Sequence, residues 1–338
     1  MLARMTPDPA HIHAILADVA PPCALVRASR PRDGIANAVF FLETTGEPLV
    51  LKVFDDATGA WKPQKERAVF THMRALGIPA PAVHRVDASK RVVPFVYSLS
   101  ERLPGEPYSL VFPTLSEAEN AGICAALGDS LGRLHATTFD AFGDPLEGAG
   151  GLGVGPVHEL TEGGNVPAPG PFATWREAHD RIVAARLRLM RGTAFADLIL
   201  RVEAWFDRHD HLLADDIVPR LLHMDLHRGN VLIANGKVAG ILDVEEAIAG
   251  HNEYDLMRTE LANFRDEAPT FRDAFLAAYR AHVTLDAGYE ARQRFYDLSR
   301  ALVWIRSLIL YGDGYARGAT SQNEQAARAH VLALTAGS

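Results

Sequence analysis

Residues 222–243 read Leu222-His223-Met224-Asp225-Leu226-His227-Arg228-Gly229-Asn230-Val231-Leu232-Ile233-Ala234-Asn235-Gly236-Lys237-Val238-Ala239-Gly240-Ile241-Leu242-Asp243. Asn235-Gly236 between two apolar runs signals a tight β-hairpin, because both turn positions need positive φ. A two-residue turn pairs Ala234 with Lys237, and counting outward pairs Asn230 with Ile241. Asp243 then falls two residues beyond Ile241, with its side chain on the face of Asn230. Diagonal neighbours of this kind sit about 7–8 Å apart at the backbone, so an amide oxygen and a carboxylate can converge on one cation. Asp225 lies five residues before Asn230, in the loop that feeds the hairpin. Any one of the three could merely shape a turn. Together they form an oxygen donor set at the open end of a hairpin, which suits Mg²⁺ held jointly with phosphates.

A second feature lies far upstream. In Leu49-Val50-Leu51-Lys52-Val53-Phe54, alternation places Lys52 beside Val50 and Phe54, while Leu49, Leu51 and Val53 fill the other face. Lysine is rarely buried unless paired. The following helix, about Pro63 to Leu76, has Val69, Phe70, Met73 and Leu76 as its core stripe. Glu66 lies on that stripe, four residues before Phe70. The simplest arrangement pairs Lys52 with Glu66; the plainer alternative is an edge strand with a snorkelling lysine.

The rest of the chain supplies the frame. Val39–Leu42 and Leu49–Phe54 read as a hairpin around Thr44-Thr45-Gly46-Glu47, and Val92–Leu99 as another strand. Leu103-Pro104-Gly105 breaks the chain and places a lobe boundary there, with an N-lobe over 1–103 and a C-lobe over 104–338. Beyond it the pattern is mainly helical. Ser116-x-x-Glu119 is a capping box ahead of a helix to about His135, and helices are expected over about Trp175–Leu189 and Phe195–Leu212. Between them, 14 of the 34 residues from Ala141 to Thr174 are Gly or Pro. This predicts a flexible loop or substrate flap. Gly151-x-Gly153-x-Gly155 follows no predicted strand and is read as loop, not as a phosphate cradle.

Composition bounds the function. The chain has 338 residues, 48% hydrophobic, with 34 basic and 42 acidic side chains. No Lys/Arg run suggests nucleic acid, no stretch has the length for a membrane span, and two distant cysteines, Cys23 and Cys124, fit a reducing cytosol. A cytoplasmic protein without nucleic-acid or membrane partners is expected. Two lobes of one chain are enough to form a cleft, so a monomer or homodimer suffices.

An interior Lys–Glu pair followed by a loop Asp, an Asn five residues on and an Asp eighteen on is the layout of kinase-like phosphoryl transfer. His223-Met224-Asp225-Leu226-His227-Arg228-Gly229-Asn230, then Ile241-Leu242-Asp243-Val244-Glu245 and Gly250-His251-Asn252-Glu253-Tyr254-Asp255-Leu256, resembles the aminoglycoside phosphotransferase family, whose relatives include choline, homoserine, methylthioribose and fructosamine kinases. The likeness runs from about Leu25 to Leu256, with Arg102 to Glu106 similar to the family's hinge.

The resemblance implies an α+β, bilobal protein-kinase-like fold and an ATP-dependent, Mg²⁺-requiring kinase acting on a small-molecule hydroxyl, with GTP also allowed. It implies Asp225 as the group that accepts the hydroxyl proton, Asn230 and Asp243 as Mg²⁺ ligands, and Lys52 on the α/β phosphates oriented by Glu66. Gly34, Ile35, Ala36 and Asn37 would cover the nucleotide; Ser100, Glu101 and Leu103 would meet the adenine. His223 would buttress the loop. Met224 stands where the family usually has Gly, and Arg228 where Pro is common; Arg228 becomes a candidate phosphate contact. Glu245, Glu246, Glu260 and Asp266 are candidate acceptor-site carboxylates, favouring an amine-bearing acceptor such as an aminoglycoside or an amine-bearing metabolite. Two other readings remain: a metallohydrolase using His223, Asp225 and His227, which leaves Lys52, Glu66 and Asp243 unexplained, and a non-catalytic kinase-shaped binding protein.

Overall fold

The computed structural model describes residues 7–19, 23–31, 38–54, 60–148, 150–158, 168–312 and 320–336. The expected nucleotide-covering loop, Gly34 to Asn37, lies outside them.

The N-terminal part is a five-stranded antiparallel sheet with strand order β1-β2-β3-β5-β4: Leu25–Ser29 (β1), Ala38–Thr44 (β2), Leu49–Phe54 (β3), Val83–Asp87 (β4) and Val96–Glu101 (β5). Alternation in β3 buries Leu49, Leu51 and Val53 against Leu42, Tyr97 and Leu99. Helix α1 (Pro9–Val19) closes that face with Ile12, Ile15 and Leu16. Full burial of each such aliphatic side chain contributes roughly 1.5–3 kcal/mol. Helix α2 (Trp61–Ala75) turns Val69, Phe70 and Met73 towards the second core.

After β5 the chain crosses at Gly105, whose φ is +112°. A Cβ there would sit 2.6 Å from the Ile233 carbonyl oxygen, so only glycine permits the approach. Glu106–Pro107 (β6) then pairs with β10 (Val231–Ala234), which pairs with β11 (Lys237–Ile241). The expected hairpin is present, with Ala234 opposite Lys237, but its register differs from the simple count. Ile233 faces Val238 and Leu232 faces Gly240, so Ala239 is an extra residue, a β-bulge. Val231 rather than Asn230 therefore opposes Ile241. Asn230 ends a short 3₁₀ turn, and its carbonyl accepts the Leu242 N–H at 2.8 Å.

The remainder is helical. The Ser116 box caps α4 (Glu117–His135): Ser116 Oγ accepts the Glu119 N–H, and Glu119 Oε2 accepts the Ser116 N–H at 2.8 Å. Helix α4 packs along α8 (Pro269–Tyr279), and α7 (Asn252–Asn263) lies beneath the loop 223–230. Helices α5 (Trp175–Met190), α6 (Ile199–His209), α9 (Tyr289–Tyr311) and α10 (Thr320–Thr335) surround a separate aromatic-rich core. Short 3₁₀ turns at 196–198 and 210–212 flank α6, accounting for the longer helix expected there. No helix of the described residues is long and apolar enough to cross a membrane.

The Gly/Pro-rich segment departs from expectation. Asp144–Gly148 (β7) and Gly151–Gly155 (β8) form an antiparallel hairpin, so the three glycines are strand residues. A Cβ on Gly155 would lie 2.2 Å from Leu146 Cδ2. Glycine composition, read as flexibility, here makes room for a cross-strand leucine. The hairpin docks on α2 through Arg67–Glu147 at 2.6 Å and Lys65–Asp144 at 3.4 Å, and Trp61 stacks on His158.

Candidate active site

Asp225 stands in a loop held from below by one carboxylate. Asp255, fully buried in the first turn of α7, accepts the backbone N–H of His223 at 2.6 Å and of Met224 at 2.9 Å, and contacts His135 Nε2 at 3.1 Å. Burial alone would raise its pKa; the hydrogen bonds and His135 outweigh that and lower it. Met224 takes φ +69°, a left-handed conformation costly for a side chain with a Cβ, which explains why glycine suits the position. Its side chain is buried in the aromatic core.

His223 is buried, and burial lowers its pKa. Its Nε2 lies 3.1 Å from the Leu242 carbonyl, and its Nδ1 accepts the Asp225 N–H at 3.2 Å. Both ring nitrogens are engaged. His227 Nδ1 accepts the Gly229 N–H. His227 Nε2 lies 3.7 Å from Asp225 Oδ2, but the ligand atoms of His223, Asp225 and His227 do not gather as a set of three, which does not favour the metallohydrolase reading. Among the described residues, metal-capable carboxylates meet elsewhere: ligand atoms of Glu66, Asp243 and Glu245 lie within 4.8 Å of one another.

That cluster closes around Lys52. Lys52 Nζ contacts Glu66 Oε1 at 2.7 Å, the expected pair, and also Glu245. Glu245 binds Lys62 of α2 at 2.8 Å as well. Burial would raise the Glu245 pKa, but the two ammonium groups pull it down to about 2. Desolvation lifts Glu66 to about 7 against the pull of Lys52, and lifts Asp243 to about 6, with Glu245 and Asp225 adding repulsion. Burial disfavours the charge on Lys52, yet Glu245, Glu66 and Asp243 together raise its pKa. Three acids around two bases leave a surplus of negative charge for a cation to neutralise.

Asn230 Nδ2 donates to the Asp225 carbonyl at 2.9 Å and to Asp225 Oδ2 at 3.1 Å. Its Oδ1 is thereby turned away from Asp225. Asp243, with φ +61°, lies two residues beyond the end of β11 and is exposed. The bulge and this turn decide where it lies, not strand alternation. Asn230, Asp243, Glu66 and Glu245 all offer oxygen, a donor chemistry that fits Mg²⁺. At the hinge, the N–H groups of Glu101 and Arg102 are taken by Ala82 and Pro48 carbonyls, and Glu101 Oε2 accepts from Arg74 and Ala82. Ser100 faces Val50 and Val83 in the sheet, and the N–H of Leu103 has no acceptor among the described residues.

A sequence profile described as the phosphotransferase enzyme family matches residues 27–307. The chain belongs to this family. Hygromycin-B 4-O-kinase of Escherichia coli is 23% identical over 230 residues, covering 66% of this chain and 59% of that one. A homoserine kinase of Methylobacillus flagellatus is 26% identical over 265 residues, covering 77% and 69%. The chain spans about six tenths of the length of the hygromycin kinase it matches. The crystal structure of aminoglycoside phosphotransferase APH(4)-Ia superposes with a TM-score of 0.67 at 17% identity, over 96% of this chain and 97% of that one. The fold is therefore protein-kinase-like and bilobal.

Within this member of the family several expected site residues have other work. Glu245 serves the two lysines rather than an open acceptor site. Glu260 accepts from Arg272 Nε at 2.6 Å and Tyr289 OH at 2.5 Å. Asp266 is exposed in a turn after α7, and Glu246 is half-buried. Arg228 donates to Glu267 at 2.7 Å and to the Asn263 carbonyl at 2.6 Å, with its guanidinium 3.5 Å from the centre of the Phe112 ring. It braces the loop against the C-terminal end of α7, with its guanidinium engaged there. Sequence reasoning missed Lys62 and Arg258. Arg258 Nη2 approaches Asp225 Oδ1 at 3.8 Å. Neither carries a local signal: both are single cations on helices, given meaning only by long-range packing.

Proposed function

We propose that this protein transfers the γ-phosphoryl group of ATP, or of GTP, to a hydroxyl of a small molecule. The observation that carries this reading is the placement of Asp225, oriented by Asn230, beside the cluster of Lys52, Glu66, Asp243 and Glu245. Support comes from APH(4)-Ia, a thermostable mutant of which has been seen in ternary complex with ADP and hygromycin B.

Lys52 has three N–H donors. Glu66 and Glu245 take two, leaving one for a phosphate oxygen. Asn230 and Asp243, with Glu66 and Glu245 behind them, would hold Mg²⁺, which when bound neutralises charge on the phosphates. Asp225 accepts the hydroxyl proton as the acceptor oxygen bonds to the γ-phosphorus and the bond to the departing ADP oxygen breaks. Leu103 offers its backbone N–H to the purine. Gly34 to Asn37 would cover the phosphates. Most of the catalysis is positioning and charge neutralisation.

Asp225→Ala tests the assignment. Coupled ADP release in Mg²⁺ and ATP should fall by roughly 10³-fold, while AMP-PNP still raises the melting temperature of the variant. Normal turnover in the variant would refute the role given to Asp225.

A further inference from the structure

We propose that Arg258 binds a carboxylate of the acceptor, so that the substrate of this site is a hydroxy acid rather than a polycation. This rests on the kinase reading above.

Arg258 lies three residues after Asp255, where α7 runs beneath the loop that Asp255 anchors. Its side chain is only 12% exposed, yet it makes no hydrogen bond to any described residue. It pairs with the Asp225 carboxylate at 3.8 Å, beyond hydrogen-bond reach, lies 5.9 Å from the Tyr254 ring, and has Glu246 and Arg186 as neighbouring charges. A guanidinium carries five N–H donors, and a nearly buried one without an acceptor is unusual.

Its position separates two sides of Asp225. Oδ2 faces Asn230, on the side of the proposed phosphate and metal groups; Oδ1 faces Arg258. A ligand on the Arg258 side is therefore the acceptor. The planar fork of a guanidinium matches a carboxylate with two parallel hydrogen bonds. Of the candidate acceptor-site carboxylates, Glu245 is engaged by two lysines and Glu260 by Arg272 and Tyr289, and the neighbouring Glu253 is held by Arg292 through bonds of 2.6 and 2.7 Å.

The test uses the whole protein with Mg²⁺ and ATP, or with AMP-PNP for binding. Three hydroxy acids are each paired with an uncharged relative: D-glycerate with glycerol, 4-hydroxybutyrate with 1,4-butanediol, and D-gluconate with D-sorbitol. Hygromycin B is the polycationic control. At least one acid should further stabilise the AMP-PNP-loaded protein and release ADP, with kcat/KM roughly 30–300-fold above its uncharged relative. Arg258→Gln should erase that preference through the acceptor KM, leaving the ATP KM unchanged, and Arg258→Lys should restore part of it. The comparison of acid with neutral relative is made on wild-type protein, so it stands even if a variant folds poorly.

Equal use of acids and neutral relatives, preference for hygromycin B, a raised ATP KM in Arg258→Gln, or no stabilisation by any acid despite AMP-PNP binding would each overturn the proposal while leaving the kinase reading. Failure of the wild-type protein to bind AMP-PNP would overturn both.

Discussion

Replacing Arg228 by alanine should cost stability and leave nucleotide affinity alone. The guanidinium donates to the Glu267 carboxylate at 2.7 Å and to the Asn263 carbonyl at 2.6 Å, and lies 3.5 Å from the Phe112 ring centre. The ion pair is 19% and 27% exposed, so solvent screens it only in part. A charge-assisted bond of about 1.5 kcal/mol, a bond to carbonyl of about 1 kcal/mol and a cation–π contact of about 0.5–1 kcal/mol sum to about 3 kcal/mol. Unfolding entropy of ~2.1 cal/mol/K per residue over 338 residues comes to about 0.7 kcal/mol/K. For a single cooperative transition the melting temperature should therefore fall by roughly 4 °C. Scanning calorimetry reads that shift, and coupled ADP release reads the KM for ATP. Arg228→Lys should recover less than half, because an ammonium cannot reach two acceptors in one plane while lying flat on a ring. An unchanged melting temperature with a tenfold higher KM for ATP would refute the reasoning and return Arg228 to the phosphates.

Two further outcomes are expected. Burial, with Arg186 nearby, pushes His179 down to about 3, where it contacts Ser299 Oγ. A histidine whose folded pKa lies below its unfolded value of ~6.5 stabilises the fold fully above pH 6.5 and loses that contribution as pH falls. Between pH 7.5 and 5 the loss is about 2 kcal/mol, so the stability gap between wild type and the non-titrating His179→Asn, measured by urea unfolding at both pH values, should shift by that amount; a constant gap would show that His179 is accessible to protons in the fold. Asp255→Ala removes the acceptor for two backbone N–H groups and His135 together. Leaving these buried groups unpaired should destabilise by about 3–5 kcal/mol, and Asp255→Asn, which keeps one acceptor, by less, as urea midpoints would show.

Local chemistry made much of this legible. Asn235-Gly236 announces its hairpin because few residues adopt two successive positive φ values. Ser116 and Glu119 announce α4 because an unpaired helix terminus needs their oxygens. Lys52 and Glu66 could be matched because each sits on an otherwise apolar face, where burial without a partner is costly. The bulge at Ala239 had no such signal, since alternating patterns look the same with or without one extra residue. The β7–β8 hairpin was hidden for a related reason: glycine records a need for space or for unusual φ, and composition does not say which.

Local patterns in the sequence pointed to the family, the Asn235-Gly236 hairpin, helix α4 and the Lys52–Glu66 pair. Each of these follows from neighbours along the chain or from which residues cannot be buried alone. How the charges are shared follows instead from long-range packing. Glu245 and Glu260 look alike as acidic residues outside the hairpin, and so do Arg228 and Arg258 as cations. Which meet a lysine, which a tyrosine, which a ring and which an open side of Asp225 depends on contacts across tens to hundreds of residues. Electrostatic energy depends on distance in space and on desolvation, and neither is written in sequence separation.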